Sequence, residues 1–405
     1  MGYQRTVLAV IAVSVLIQYL PSLLSKSPPP LINGYVASGF DEVRRVFRDL
    51  HENGLDAGSS FAVYHKGEKV VDLWGGYANY EAPAICVAMA VDRGYLDYDQ
   101  KVSHYWPDFA QNGKENITLK QLVHHEAGLA VPYVHPDITT VRDTDKLFKL
   151  LAKTTPTWEP GTAHGYHAIT YGWFLSGVLR HADPKHRTIG QFFKEEVADV
   201  FGIDFHIGLP REEYYRVARI QRPHKLSYMK HVFNAKYRRI IQDLIFRPDG
   251  LTHKALNFPD LLAPDERQNT YSLQSLEIPS ATGIGTARAL AKLYAILNNG
   301  GEWEGKRLLS SELIKKFTEC NEHRVDEVLL YKRVYCHGML GKQPYKSHRV
   351  FGHTGYGGQG AFFDPYTNTT LAFIASKLSI YSMGDDERYL ALVKSTYDSI
   401  TNLEN

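Results

Sequence analysis

Between Phe40 and Leu50 the apolar residues Phe40, Val43, Phe47 and Leu50 fall three or four positions apart, with Arg44, Arg45, Arg48 and Asp49 between them. That period predicts an amphipathic helix with one buried face. The pattern then changes. Residues 61–64 and 69–74 are β-prone runs around His65-Lys66-Gly67-Glu68, the signature of a hairpin. Residues 82–91, APAICVAMAV, are ten consecutive apolar positions bounded by Glu81 and Asp92-Arg93-Gly94. Such a run is too short to cross a bilayer and predicts a helix buried on every side, with Pro83 suited to its first turn and Gly94 to its C-terminal cap.

The middle of the chain keeps helical spacing. Thr118 is placed to cap a helix, TLKQLVHH, that ends before Gly128, and further helices are predicted at 144–153, 171–180 and 189–200. Residues 221–250 set Lys225, Lys230, Lys236, Arg238 and Arg239 beside Val232, Phe233, Ile240, Ile241 and Leu244. That mixture predicts an amphipathic helix over a cleft with a solvated basic face, or a helix facing a membrane. A capped helix at 286–297 closes on Asn298-Asn299-Gly300-Gly301. The pattern returns to strands at 350–354, 360–364 and 370–376, and an amphipathic helix at 385–400 ends the chain. The expected fold is α+β: an antiparallel sheet built from both ends of the domain and flanked by helices, with an inserted, mostly helical lobe at about 95–285 and a cleft where the lobes meet.

Composition narrows the function class. With 405 residues, 44% hydrophobic and 22% charged, the chain can bury a large core or two lobes. A formal net charge of +2 gives no electrostatic case for nucleic acid, so small molecules or proteins are the expected partners. Cys86 lies in the apolar helix and reads as a core residue; Cys320 and Cys336 could pair in an oxidising compartment. The three cysteines include no C-x-x-C, so no zinc site is expected. After Arg5 an apolar stretch runs to Leu24, which makes residues 1–25 a signal peptide or a signal anchor, and 26–36, with Pro28-Pro29-Pro30, a stiff spacer before a body at 37–405. Asn116 and Asn368 open N-x-[ST] sequons and are glycosylation candidates. Together these place the body in the secretory pathway, membrane-anchored if the first segment is kept and secreted if it is cleaved.

The order of several motifs resembles the serine β-lactamase and DD-peptidase superfamily, nearest its class C β-lactamase-like serine esterase branch. The stretches that carry it are VDLWGGY at 71–77, ITLKQLVHHEAGL at 117–129, WEPGTAHGYHAITYGWFLSGVLR at 158–180, FFKEEVADVFGIDFHIGLP at 192–210, GIGTARALAKLYAILNNGG at 283–301 and FGHTGYGGQGAFFDP at 351–365. That family places Ser-x-x-Lys at the start of a central buried helix, where a serine one turn from a lysine can pass its proton to the amine. A tyrosine from the helical lobe and a Lys/His-Thr-Gly strand complete the site. By this resemblance Tyr166 is the general base or proton shuttle, and His353, Thr354 and Gly355 form the substrate-binding strand. Histidine in place of lysine, mostly neutral at pH 7, favours an ester or amide over an anionic β-lactam.

The nucleophile is not found. Where the resemblance puts Ser-x-x-Lys, this chain runs Tyr77-Ala78-Asn79-Tyr80 straight from the hairpin into the apolar helix. A segment of a few tens of residues is therefore expected to be missing. The remaining match, Ser227-Tyr228-Met229-Lys230, has no apolar helix behind it and reads as chance. His124-His125-Glu126 lacks the H-E-x-x-H spacing, and no phosphate-cradling or dinucleotide motif is complete, so neither metal nor cofactor is expected. The expectation is a serine-hydrolase relative, esterase- or peptidase-like, inactive in this form, or a non-catalytic scaffold that uses the same cleft for a small ester or amide ligand or a protein.

Overall fold

The computed structural model describes residues 32–74, 78–79, 83–223, 227, 234–262, 266–342 and 348–405. The strands that matter are β1 (Asn33–Val36), β2 (Ser59–His65), β3 (Glu68–Trp74), β4 (Ala78–Asn79), β5 (Phe205–Ile207), β6 (Gly283–Gly285), β7 (Tyr335–Cys336), β8 (Met339–Lys342), β9 (Val350–Thr354), β10 (Gly360–Asp364) and β11 (Thr369–Ala375). Eight of them form one antiparallel sheet in the order β1-β3-β2-β11-β10-β9-β8-β7. Its seam joins the two ends of the chain, with Phe61 opposite Phe373 and Val63 opposite Leu371. A smaller sheet, β4-β6-β5, lies at the root of the lobe.

Alternation along β2 explains why both faces of the sheet are covered. Phe61 and Val63 point into one cluster, Ala62 and Tyr64 into the other. The first face is closed by helices α1 (Asp41–Glu52) and, from the far end of the chain, Glu387–Glu404, through Val43, Phe47, Leu392 and Val393. The second face carries the helical lobe. Its centre is α2 (Pro83–Asp92), in which Ile85 to Ala90 are at most 2% exposed, as ten apolar residues in succession require. Burial pushes the Cys86 thiol well above its ordinary pKa, so it is a packing group and not a nucleophile.

Further along, α3 (Leu119–Val123) begins at Thr118 with a reciprocal capping box: Thr118 Oγ1 accepts from Gln121 N at 3.2 Å, and Gln121 Oε1 accepts from Thr118 N at 2.9 Å. The helix stops sooner than expected, because His125 takes a left-handed backbone (φ 60°) three residues before Gly128. Helices α4 (Thr170–Ala182), α5 (Ala235–Phe246), α6 (Ala287–Asn298) and α7 (Glu387–Glu404) complete the set used below. Within α5, Tyr237 and Ile240 are buried while Arg238 and Arg239 are exposed, which is the basic solvated face; Lys225, Lys230, Val232 and Phe233 lie outside the described residues.

Three features extend the sequence reading. Residues 33–36, at the end of the expected spacer, are strand β1, paired with β3 from Asn33↔Trp74 to Val36↔Val71. Strands β7 and β8, which no alternation signal marked, extend the sheet beyond β9. Cys320 and Cys336 are joined by a disulfide. Among the described residues no helix is long and apolar enough to cross a membrane, and the apolar N-terminal stretch lies outside them. Phe47 is fully buried between α1 and the sheet, so Phe47→Ala is expected to cost roughly 3–5 kcal/mol in urea unfolding. A loss below about 1 kcal/mol would show that α1 does not seal that face.

Candidate active site

The residues that the motifs singled out come together where the first turn of α2, the segment before α4 and strand β9 converge. Tyr166 and His353 stack, with ring centroids 5.9 Å apart and planes at 26°. Thr354 is buried at the end of β9, and Gly355 N donates to Gln359 O at 2.9 Å to close the β9–β10 hairpin. Ala84 and Ile85 from α2 stand where the resemblance calls for the serine-bearing helix. Tyr77 and Tyr80 to Ala82, the junction itself, lie outside the described residues, as do Tyr228 to Lys230.

Backbone and side chains around Tyr166 are fixed by neutral histidines. His167 donates through Nδ1 to Gly165 O at 2.6 Å and accepts at Nε2 from Leu129 N at 2.7 Å. Burial holds its pKa down at about 4. His125 Nδ1 accepts from His167 N at 3.1 Å, and the ring lies against Tyr171 at 4.4 Å and Tyr335 at 4.5 Å. Full burial, with His167 and His353 adding to it, keeps His125 well below the usual histidine range. His124 accepts at Nε2 from His337 N at 3.2 Å, and burial brings it to about 3. In His124-His125-Glu126 the ring nitrogens named here are therefore hydrogen-bond acceptors, and Glu126 Oε1 accepts from Asn321 Nδ2 at 3.1 Å.

His353 is neutral for a related reason. Burial lowers its pKa to about 3 and the Arg333 charge acts in the same direction, against a smaller opposing contribution from the Thr354 backbone. It presents an uncharged imidazole to the cleft. The positive charge belongs to Arg333, whose guanidinium lies 5.2 Å from the centre of the Tyr166 ring and 5.6 Å from those of Tyr331 and Tyr335. Burial works against that charge, but the three tyrosines and Asp326 raise its pKa on balance.

Asp326 ties these parts together. Fully buried, its Oδ1 accepts from the backbone N of Tyr166 (3.1 Å), Val328 (2.9 Å) and Leu329 (2.7 Å), and its Oδ2 from Tyr335 Oη (2.6 Å). Tyr335 is in turn laced to Asn321: its N donates to Asn321 Oδ1 at 2.9 Å, and Asn321 N donates back to Tyr335 O at 2.9 Å, beside the disulfide. Sequence reasoning missed Asp326, Arg333 and Tyr335, because RVDEVLLYKRVY at 324–335 carries no motif and reads as an ordinary polar connection.

What these walls enclose is small. The chamber between Ala84, Tyr166, Tyr171, Gly338 and His353 measures about 20 Å³, room for a water molecule. Gly338 sets one wall with a left-handed backbone (φ 92°); a Cβ there would stand 2.5 Å from Ala84 Cβ and 2.7 Å from Tyr171 Oη. Of the sequons, Asn116 is exposed, its Oδ1 accepting from Lys101 Nζ at 2.8 Å, and Asn368 is half-buried in a turn, its Oδ1 accepting from Asn298 Nδ2 at 3.0 Å.

A lobe inserted between the two halves of an antiparallel sheet, with its tyrosine facing a His-Thr-Gly strand, defines a β-lactamase/transpeptidase-like protein. The chain belongs to the beta-lactamase family, whose profile matches residues 82–394. The esterase/beta-lactamase LipL of Mycobacterium tuberculosis is 31% identical over 363 residues, covering 83% of this chain and 81% of LipL. A solved family VIII carboxylesterase is similar with a TM-score of 0.79 and 30% identity, covering 91% of this chain and 99% of its own. A penicillin-binding protein homologue from Caulobacter crescentus gives 0.77 and 31%, covering 91% and 99%.

Two outcomes follow from this geometry. His167 and His353 have folded pKa values of about 4 and about 3, below the ~6.5 of an unfolded histidine, so the unfolded chain binds more protons between those limits. Their contribution is complete above about pH 6.5 and is lost as pH falls, by up to roughly 1.4 kcal/mol per pH unit per histidine. Urea titrations should therefore give a lower unfolding free energy at pH 5 than at pH 7.5, and equal values would mean solvated imidazoles. Asp326→Ala leaves several buried donors without an acceptor and should cost about 3 kcal/mol or more, with Asp326→Asn milder because one oxygen remains. Equal melting midpoints for wild type and Asp326→Ala would show that the carboxylate is dispensable.

Proposed function

We propose that this form of the chain is a non-catalytic member of its family: it keeps the architecture of an ester-cleaving serine hydrolase and does not turn over esters. The observation that carries this reading is what the start of α2 presents to the cleft. Its helix wall is Ala84 and Ile85, and α2 contains neither serine nor lysine to stand beside Tyr166 and His353. Covalent acyl transfer needs a hydroxyl and a base within one hydrogen bond of each other. Removing the attacking serine from such enzymes generally lowers turnover by several powers of ten.

The ligand class comes from the relatives. One is named an esterase/beta-lactamase and another a carboxylesterase, and the neutral His353 supports an uncharged ester or amide over an anionic β-lactam. In this reading the Tyr166–His353 stack, with Arg333 beside it, is a binding surface for such a ligand or for a protein partner. The disulfide and the exposed Asn116 sequon support a body in the secretory pathway, held at a membrane if residues 1–25 are retained.

A serine-reactive fluorophosphonate probe, together with p-nitrophenyl butyrate hydrolysis, tests the reading. The expected result is no stoichiometric adduct and a hydrolysis rate that Tyr166→Phe does not change. A stoichiometric adduct on any serine, or a rate that falls at least about ten-fold in Tyr166→Phe, would overturn it.

A further inference from the structure

At the opposite end of β9 and β10 from the chamber lies a second hollow, of about 780 Å³, within the range of small-molecule sites. Its floor is apolar. Leu297 from the end of α6, Ile314 from the short helix Ser311–Lys316, Phe351 from β9 and Phe363 from β10 line it. Its rim is cationic: Lys315 and Arg349 are exposed there, and among the described residues neither side chain makes a hydrogen bond or an ion pair. Among the described residues no carboxylate lines it.

One wall is rigid. His348 Nε2 lies 2.7 Å from Asp364 Oδ2, and Asp364, itself buried, also accepts from Tyr397 Oη at 2.8 Å, Thr367 Oγ1 at 2.8 Å and Tyr366 N at 2.8 Å. The His348 ring stacks on Tyr366 at 5.2 Å with planes 11° apart. The two rings form an aromatic edge beside Arg349.

An apolar floor under two exposed cations is complementary to a molecule with a hydrocarbon body and a single anionic head. A neutral lipid would leave the cations unused, and a fully polar anion would leave the floor unused. We propose that this hollow is a binding site for a small amphipathic carboxylate, whose chain lies on Phe351 and Phe363 and whose head group meets Arg349 and Lys315. The site is separate from the Tyr166 cleft, and the proposal does not depend on how that cleft is read. The two nevertheless share a wall: Phe363 touches Tyr294, at 6.1 Å between ring centres, and Tyr294 lines the chamber.

Isothermal titration of the full chain with octanoate, octan-1-ol and octylamine tests it. Octanoate should bind at one site per chain, at least about ten-fold more tightly than octan-1-ol, with no octylamine binding, and more weakly at high salt. The double variant Lys315→Gln/Arg349→Gln changes two exposed side chains and should keep the wild-type melting midpoint while losing at least about ten-fold in octanoate affinity. Tyr366→Ala, also at an exposed position, should weaken octanoate less, and Tyr166→Phe should leave it unchanged. The proposal is overturned by absence of saturable octanoate binding, by equal affinity for acid and alcohol, or by octanoate binding that depends on Tyr166 and not on Lys315 and Arg349.

Discussion

The buried carboxylate of Asp326 is the constraint on which the cleft depends. A charge fully removed from water is tolerated only where its oxygens are met by donors, and Asp326 meets four of them. They come from different places. Tyr166 belongs to the helical lobe, Tyr335 to the edge strand β7 of the large sheet, and Val328 and Leu329 to the segment between the helix Ser311–Lys316 and β7. The carboxylate therefore sets the distance between the lobe and the sheet. The position of the Tyr166 ring against His353 follows from it, and Arg333, over the same tyrosines, balances the charge.

The histidines show how much of the site is scaffold. A cleft with His124, His125, His167 and His353 invites a reading in terms of proton transfer or metal binding. Each is instead held neutral by burial, and His124, His125 and His167 spend a ring nitrogen on a backbone N–H. A buried imidazole that accepts from an amide replaces a water that could not reach it. Gly338 supplies the complementary constraint from the strand side, since a side chain there would collide with Ala84 and Tyr171.

Most of the architecture was legible because burial imposes period. The β-prone run of β2, the apolar run of α2 and the cap at Thr118 each have one structural solution, and the chain adopts it. Motif order likewise led to Tyr166 and His353. The less visible parts are those whose signal is tertiary. Strand β1 was hidden beside a proline tract, and β7 and β8 are too short to show a period. Asp326 sits among residues of both charges, where nothing marks one carboxylate as buried. The end of α3 at His125 was also unreadable, because a left-handed histidine is stabilised by the rings packed around it and not by its own preference.

The seam of the large sheet has a consequence for how the molecule is made. Strand β2 pairs on one side with β3, immediately after it, and on the other with β11, from Thr369↔His65 to Ala375↔Ser59. During synthesis the first side can close at once, but the second has no native neighbour until Thr369–Ala375 has left the ribosome. For that interval the hairpin presents an open edge carrying Phe61 and Val63, a template for pairing with another chain. A strand translated far downstream thus protects this hairpin, and a nascent chain that stalls short of Thr369 is an aggregation hazard even if its helical lobe has already folded.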